Sequence, residues 1–208
     1  MRTDFSPEEM SSRDFYRLLT AVVVPRPIAW VSSTSPEGVD NLAPHSFFTV
    51  SSVTPPIVQF TSVGEKDSLR NIRATGEFVV NLSPASLIEE VNATGTNFPP
   101  EVSEFDAAGL TRETSSTVKP PRVRESPVAL ECVVHEVMPI GDCTIVFGLV
   151  SHAVVASEVL DGSHPRIDEL APLSRLGLDE WGTVGGVREL KRIRRSEWPG
   201  TFDRASRS

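Results

Sequence analysis

Residues 41–60 decide the fold, and they read NLAPHSFFTVSSVTPPIVQF. Their β-branched and aromatic content predicts two strands, at 46–53 and 57–62. The double proline at 55–56 cannot take central ladder positions, so it marks the rim of a sheet. Hydroxyl side chains also crowd this stretch, at positions 46, 49, 51, 52 and 54. These hydroxyls either cap turns or face something polar that the sheet encloses.

The rest of the chain adds more strands than helices. We predict a helix from Ser6 to about Thr20, because Ser6 and Glu9 form a capping box and Pro7 suits the first helical position. A second helix is predicted within 64–76, ended by a glycine, and a third after Ser83, with Leu87, Ile88 and Val91 facing inward. Six or more antiparallel strands joined by turns predict a mainly β, closed or nearly closed barrel. The other predicted strands are 28–33, 78–82, 128–137 and 144–156, with a return strand starting at 39–41.

Two segments lie outside this regular pattern. Residues 93–125 have many turn formers and little periodicity, which is typical of a lid or a subunit contact. Leu170, Leu173 and Leu176 indicate one or two helical turns. We therefore predict one domain over residues 1–188 and a basic C-terminal tail over 189–208. The basic side chains from position 188 onward are Arg188, Lys191, Arg192, Arg194, Arg195, Arg204 and Arg207.

Charge and cysteine content limit the possible partners. The 208 residues carry a net charge of −8, which argues against nucleic-acid binding; we interpret the tail as a solvated end that docks on an acidic body or partner subunit. Cys132 and Cys143 have no metal-binding spacing, so we expect both to be reduced. The N-terminus has no apolar signal run and no window reaches the length of a membrane span. We therefore expect a cytoplasmic protein without a membrane partner.

The polar residues form no local hydrolytic, metal or nucleotide motif. The four histidines are scattered, and neither a nucleophile elbow nor a glycine-rich phosphate loop occurs. We therefore predict no metal site, and the catalytic residues are unknown. His45 and His152 could act near a ligand, but a histidine satisfied within the barrel is the favoured interpretation of both.

One group of residues has the character of a phosphate site. Lys66, Asp67 and Ser68 open a predicted helix, and helix N-termini attract anions through their free amides. Ser51 and Ser52, at the end of a strand, could add hydroxyl donors. In the competing interpretation Asp67 caps the helix while Lys66 and its neighbour Arg70 point to water, and spacing alone slightly favours it.

A second group could hold a flat ring. Ala43, Pro44, His45 and Ser46 leave backbone groups open to close approach, and a heteroaromatic ring needs such a polar edge beside an apolar wall. Trp30, Phe47 and Phe48 could form that wall or fill the core. At least one of the two adjacent phenylalanines must face the core, since neighbours on a strand point to opposite sides.

Longer motifs carry a family resemblance from about residue 14 to 185. PRPIAWVS at 25–32, the stretch 41–56 and KDSLRNI at 66–72 with GEFVVNL at 76–82 resemble the flavin reductase-like family of FMN-binding split barrels. Segments of the longer family members also recur, as NATGTNFPPEVSEFDAAGLT, KPPRVRESPVALEC and LSRLGLDEW. The resemblance implies a six-stranded antiparallel split β-barrel with Greek-key topology and a few short flanking helices. It also implies a homodimer with non-covalent FMN near the subunit interface.

The resemblance assigns roles by position. The loop 92–100 would cross toward the partner's cofactor. Trp181 falls where similar sequences often have a tyrosine, and its larger ring would narrow the space over the flavin. Asn41, Ala43, Pro44, His45 and Ser46 would line the isoalloxazine, Thr61 would reach the same side, Ser51 and Ser52 would approach the ribityl-phosphate end, and Lys66, Asp67, Ser68 and Asn71 would clamp the phosphate.

The implied activity is hydride transfer from NADH or NADPH to FMN, followed by electron delivery to a small-molecule substrate or a protein acceptor. The cofactor performs this chemistry, so no protein acid or base is strictly required. One alternative is an FMN-binding electron carrier without its own NAD(P)H activity. Another is a binding module that uses the fold without flavin.

Overall fold

A computed structural model of the chain describes residues 1–198 and 200. Seven strands form one sheet in the order β2-β1-β5-β6-β7-β4-β3, with every neighbouring pair antiparallel. The strands are β1 (Ala29–Thr34), β2 (Asp40–His45), β3 (Phe48–Ser52), β4 (Ile57–Val63), β5 (Glu77–Asn81), β6 (Val128–Ile140) and β7 (Cys143–Val155).

The two edge strands of this sheet show why it must curl. β2 and β3 lie at opposite ends of the strand order, yet only Ser46 and Phe47 separate them in the chain. The sheet therefore closes on itself, and no ladder joins β2 to β3 among the described residues, which leaves the barrel split. The mainly β barrel is confirmed. The sheet has seven strands and not the six that the resemblance implies, because the return strand from residue 40 and the segment after Ser46–Phe47 form two separate strands, β2 and β3.

One helix closes an end of the barrel. The chain passes from β4 to β5, beside β1, through α2 (Asp67–Thr75), which produces the Greek-key order. Leu69 and Ile72 of α2 are fully buried against the barrel core, as the sequence predicts. The helix ends at Gly76, whose φ of 75° is readily adopted only by glycine.

A row of rings crosses the barrel interior. His45 lies 4.6 Å from Phe60, and Phe60 lies 5.6 Å from Phe78, measured between ring centroids. The far end of the row abuts Gly148 on β7, where an added Cβ would overlap the Phe78 ring. Glycine at 148 therefore allows the ring row to reach from the back of the barrel to β2.

The other helices differ in part from prediction. α1 is Ser12–Val22 and does not begin at Ser6, because Ser11 caps it by accepting a bond from the Asp14 amide while residues 7–10 form a turn. Ile88 is exposed rather than inward, whereas Val91 is buried. The remaining helices are α3 (Ile88–Ala93), α4 (Glu104–Ala107) and α5 (Ile167–Leu170), with 3-10 turns at Ala85–Leu87, Ser157–Val159 and Arg195–Glu197.

Short strand pairs hold the remaining chain. Leu173 and Leu176 lie outside α5, so the predicted helical region is a single turn. Glu131 on β6 fastens the irregular excursion 93–125 to the back of the sheet, since its carboxylate accepts bonds from the amides of Ser116 and Thr117. The short strands pair Arg26–Pro27 with Ser174–Arg175 and that with Trp181–Gly182, Arg112–Glu113 with Arg122–Val123, and Leu160–Asp161 with His164–Pro165.

The C-terminal part of the chain is only partly described. Residues 186–194 lack regular structure and are exposed. Within the predicted tail, residue 199 and residues 201–208 lie outside the described residues. The predicted boundary between the domain and the tail at residue 188 therefore stays a prediction. In the described part of the chain, no helix has the length and apolar character needed to span a membrane.

Candidate functional site

A cavity of about 220 Å³ opens where β2, β4 and the start of α2 meet the loop that follows α3. Many of the residues predicted from the sequence line it, and the loop contributes a second wall. The lining residues are Tyr16, Asn41, Ala43, Pro44, His45, Ser46, Phe47, Thr61, Val63, Lys66, Asp67, Ser68, Thr94, Gly95, Thr96, Asn97 and Glu104.

The N-terminus of α2 faces this cavity without a side-chain cap. Lys66 is the N-cap residue, and its side chain makes no capping bond. Amides at the first turn of a helix have no intrahelical partner and carry partial positive charge, so they attract anions. The capping interpretation of Asp67 is wrong, because Asp67 pairs with Arg70 instead. Nor does Lys66 simply point to water, since its Nζ donates to Asn97 Oδ1 at 3.1 Å.

Ser68 is the polar centre of the cavity wall. Its buried hydroxyl accepts a bond from Asn41 Nδ2 at 3.0 Å and lies 3.4 Å from His45 Nε2. Because the Asn41 amide occupies a lone pair, the hydroxyl proton is free to point toward His45 or toward an anion in the cavity. Strand β2 and helix α2 thus present one donor set to the same space.

His45 is a neutral imidazole at pH 7. Burial lowers its pKa to about 4, against a hydrogen bond with the Thr61 backbone that raises it, and the nearby charge of Lys66 lowers it further. Any positive charge in the cavity therefore comes from Lys66 and the helix amides, not from the histidine. The sequence favoured a satisfied barrel histidine, and the Phe60 ring and the Thr61 backbone are its neighbours.

Two parts of the wall were not predicted as site residues. Glu104 of α4 is buried, and its Oε2 accepts the Leu42 amide of β2 at 2.9 Å. Burial raises the pKa of Glu104 despite this bond and one from its own backbone amide. Thr94 and Asn97 come from the loop that was expected to cross to a partner, but within this chain the loop lines its own cavity. Both contacts span more than thirty residues of chain, so local sequence carried no signal for them.

The cavity does not include four of the predicted residues. Ser51 and Ser52 belong to edge strand β3 and do not line it. Asn71 is buried on α2 and donates to Ser33 Oγ at 3.3 Å, and it lines a neighbouring space of about 470 Å³. Trp181 lines a separate cleft that shares Pro44, Ser46 and Gly95 with the cavity. The placement of these four residues at a phosphate or a ring stays a prediction.

The described residues contain no cluster of side chains arranged to bind a metal. No group of three or more histidine, cysteine, aspartate or glutamate side chains lies close enough there to hold an ion. Cys132 is buried and Cys143 is partly exposed, and the two are not paired. Burial raises the pKa of the Cys132 thiol to about 12, so this thiol is an inert core group.

Comparison with known proteins identifies the family. The model of the flavin reductase like domain matches residues 21–171, so the chain belongs to that family. An uncharacterized protein of Aquifex aeolicus is 38% identical over 194 residues, which is 90% of this chain and 99% of the relative. The resemblance drawn from the sequence is thereby confirmed.

Solved structures agree with both the fold and the family. Nitrilotriacetate monooxygenase component B from Bacillus cereus superposes with a TM-score of 0.88 at 34% identity, over 91% of this chain and 99% of that one. The 2-nitrobenzoate 2-nitroreductase of Pseudomonas fluorescens gives a TM-score of 0.88 at 29% identity, over 95% of this chain and all of that one. Family and neighbours together support an oxidoreductase that binds flavin.

Proposed function

We propose that this protein is an FMN-binding, NAD(P)H-dependent flavin reductase that works as a homodimer. One observation carries the proposal: the uncapped N-terminus of α2 and the Ser68 hydroxyl face the same cavity as the backbone of Asn41–Ser46. A phosphate needs the first set of groups, and a flat heteroaromatic ring needs the polar edge that the second provides.

The polar end of the cavity fits the phosphate of FMN. The first-turn amides of α2, the Lys66 ammonium and the Ser68 hydroxyl are hydrogen-bond donors. The ammonium donates to Asn97 Oδ1, and the hydroxyl lies near His45 Nε2. Asp67 lies at the same helix end, but its carboxylate is engaged by Arg70 and so repels an anion less. These groups would hold the dianion, while the neutral His45 would add no charge.

The size of the cavity favours a second copy of the chain. The cavity volume of about 220 Å³ is below the roughly 300–1,000 Å³ of usual ligand pockets. We therefore infer that the cavity of one chain does not enclose a whole FMN. Helix α1 has no buried residue, and the exposed apolar side chains of Leu19 and Val22 lie on the helix whose Tyr16 lines the cavity. A partner subunit that covers this helix would both bury the apolar face and complete the pocket.

The bound flavin would supply the redox chemistry, by accepting a hydride from NADH or NADPH and delivering electrons to an acceptor. The chain's own residues would grip, orient and shield it. The Bacillus cereus neighbour is a monooxygenase component and the Pseudomonas fluorescens neighbour a nitroreductase, which supports a protein or a small molecule as acceptor. A cytoplasmic location belongs to the proposal, and the two unpaired cysteines support it.

The first test is an absorbance spectrum of the purified protein, followed by anaerobic mixing with NADH and with NADPH. We expect a yellow protein whose flavin absorbance bleaches with at least one nicotinamide. Bound FMN that neither nicotinamide reduces would favour the electron-carrier alternative. A colourless protein that does not bind added FMN would overturn the proposal.

The phosphate assignment has its own test. Lys66→Ala with Ser68→Ala should weaken FMN binding about a hundredfold, because charged and hydroxyl donors to a phosphate contribute about 1.5–3 kcal/mol each when not compensated. Fluorescence titration measures the affinity, and circular dichroism checks the fold. The matched control is Lys119→Ala with Ser163→Ala, an exposed pair away from the cavity, which should bind FMN normally. Equal affinity in both variants would contradict the assignment.

A further inference from the structure

A second cleft of about 240 Å³ lies behind the wall of the candidate flavin cavity. Pro44, Ser46 and Gly95 face both spaces, so a molecule in this cleft would lie directly beside a ring held by β2. Its own character comes from one cation, one large aromatic ring and one amide. The lining residues are Ile28, Pro44, Ser46, Asn92, Gly95, Arg175 and Trp181.

Arg175 is held in place by its neighbours on both strands. It lies on the middle strand of the small three-stranded sheet, directly opposite Trp181, and its guanidinium carbon is 4.5 Å from the Trp181 ring centroid. Its Nη2 donates to the Leu178 carbonyl at 2.7 Å. The stacking fixes the plane of the Arg175 guanidinium, and its other N–H groups can donate to a ligand. A fixed planar guanidinium is the arrangement that recognises carboxylates.

The charge around Arg175 is not balanced by the protein. On its other side it lies directly opposite Arg26, and the positive charge of Arg175 is one cause, after burial, of the lowered pKa of Arg26. Like charges on opposed strand positions are destabilising. Within residues 1–198 no carboxylate comes within 4.0 Å of Arg175. The Nη atoms of Arg26 donate to three backbone carbonyls, and its buried Nε has no hydrogen-bond partner. An anion in the cleft would offset the charge of Arg175, which lines it.

We propose that this cleft binds a small planar carboxylate, with the carboxylate on Arg175 and the flat body between Trp181 and the shared wall. A cavity of about 150 Å³ suffices for benzene, so the space admits one substituted ring. Ile28 and Pro44 provide apolar surface for the body, and Asn92 and Ser46 provide polar groups for a substituent. A carboxylate of another size or shape could not contact both the Arg175 guanidinium and the lining of the cleft.

The role of this ligand as a substrate rests on the proposed function, since the shared wall would bring it next to the flavin. Binding itself needs no flavin. A direct binding measurement on the full chain therefore tests the cleft even if the cavity holds no cofactor, and flavin content is recorded in the same samples. Failure of one proposal can in this way be distinguished from failure of the other.

The probe is benzoate, measured by isothermal titration calorimetry on the full-length protein, with and without added FMN. Benzamide has the same shape without the charge, and inorganic phosphate has the charge without the ring. We expect benzoate to bind at least tenfold more tightly than either. Equal binding of benzamide, tighter binding of phosphate, or no binding of benzoate would each overturn the proposal.

Variants locate the site. Arg175→Gln should weaken benzoate at least tenfold and leave benzamide unchanged, and Arg175→Lys should recover only part of the loss because the fork is missing. Arg166→Gln, which removes an exposed arginine paired with Glu169, is the control and should bind benzoate normally. Should Arg175→Gln fail to fold, photo-crosslinking of the unaltered protein with 4-azidobenzoate decides: labelling within 174–182 supports the site, and labelling elsewhere overturns it.

Discussion

Two buried carboxylates join the irregular excursion 93–125 to the sheet, at β6 and at β2, and they ionise differently. Glu131 on β6 is 0% exposed and Glu104 on α4 is 5% exposed, so burial alone does not separate them. Burial opposes ionisation of Glu131, but the bonds from Ser116 and Thr117 and the charge of Arg122 outweigh it, so its pKa is lowered. Glu104 accepts only the Leu42 amide and its own backbone amide, and its pKa is raised.

The difference shows how the protein divides structural work from ligand contact. On β6, hydrogen bonds from the irregular loop and from Arg122 surround the Glu131 carboxylate and thereby fix the loop to the strand. On the cavity wall burial outweighs the available hydrogen bonds, so the pKa of Glu104 is raised and that of His45 is lowered. Groups that are incompletely satisfied in a cavity are typical of binding sites.

The largest expected effect is on the satisfied side. Glu131→Gln should lower the free energy of unfolding by about 3 kcal/mol, because it removes the charge that Arg122 and three donors surround in a buried place. Urea denaturation at pH 7 measures the change. Glu113→Gln removes the other, more exposed carboxylate on Arg122 and should cost less than about 1 kcal/mol. Similar losses of unfolding free energy in the two variants would contradict the predicted difference between the buried and the exposed carboxylate.

The second prediction concerns pH on the cavity side, for protein freed of flavin. The pKa of His45 is about 4 in the folded protein and 6.5 when unperturbed. Between these two pH values the unfolded chain binds a proton at His45 and the native state does not. Stability should therefore fall as pH drops through this window, by about 2 kcal/mol between pH 7 and pH 5.

His45→Gln isolates that contribution. The difference in unfolding free energy between parent and variant should shrink by this amount from pH 7 to pH 5, as measured by urea denaturation at both values. A difference that does not change with pH would mean that His45 accepts a proton in the folded protein.

The smallest expected effect has the opposite sign to the first. Glu104→Gln keeps an acceptor for the Leu42 amide and removes a charge that burial disfavours, so it should raise stability at pH 7 by about 1 kcal/mol. A group with a raised pKa contributes stability at low pH that is lost as pH rises through the folded pKa. The gain from the substitution should therefore be smaller at pH 4 than at pH 7. A loss of stability as large as that of Glu131→Gln would show that the charges of both carboxylates stabilise the fold.

The sequence predicted the parts of this protein that local chemistry determines. The strands around the double proline and the helix ended by Gly76 follow from β-propensity and turn residues. The start of α1 was mistaken, because two serines offer caps and only the structure shows that Ser11, not Ser6, accepts the helix amide.

The rest depends on contacts distant in sequence. Glu104 reaches Leu42 across 62 residues, and Asn97 reaches Lys66 across 31, from a segment without periodicity. Ser51, Ser52 and Trp181 were assigned by family position, yet each lies outside the cavity of a single chain. Spacing along the chain does not encode such distances, since they arise from how the barrel curls.

The row of rings from Gly148 to His45 ties the evolution of the ligand cavity to a strand that never touches it. A larger residue at position 148 must displace the Phe78 ring, and that ring bears on Phe60 and through it on the imidazole beside Ser68. Relatives that reshape the cavity for a different ligand can thus do so from the back of the barrel. We therefore expect substitutions at positions 148 and 78 to be correlated among related sequences.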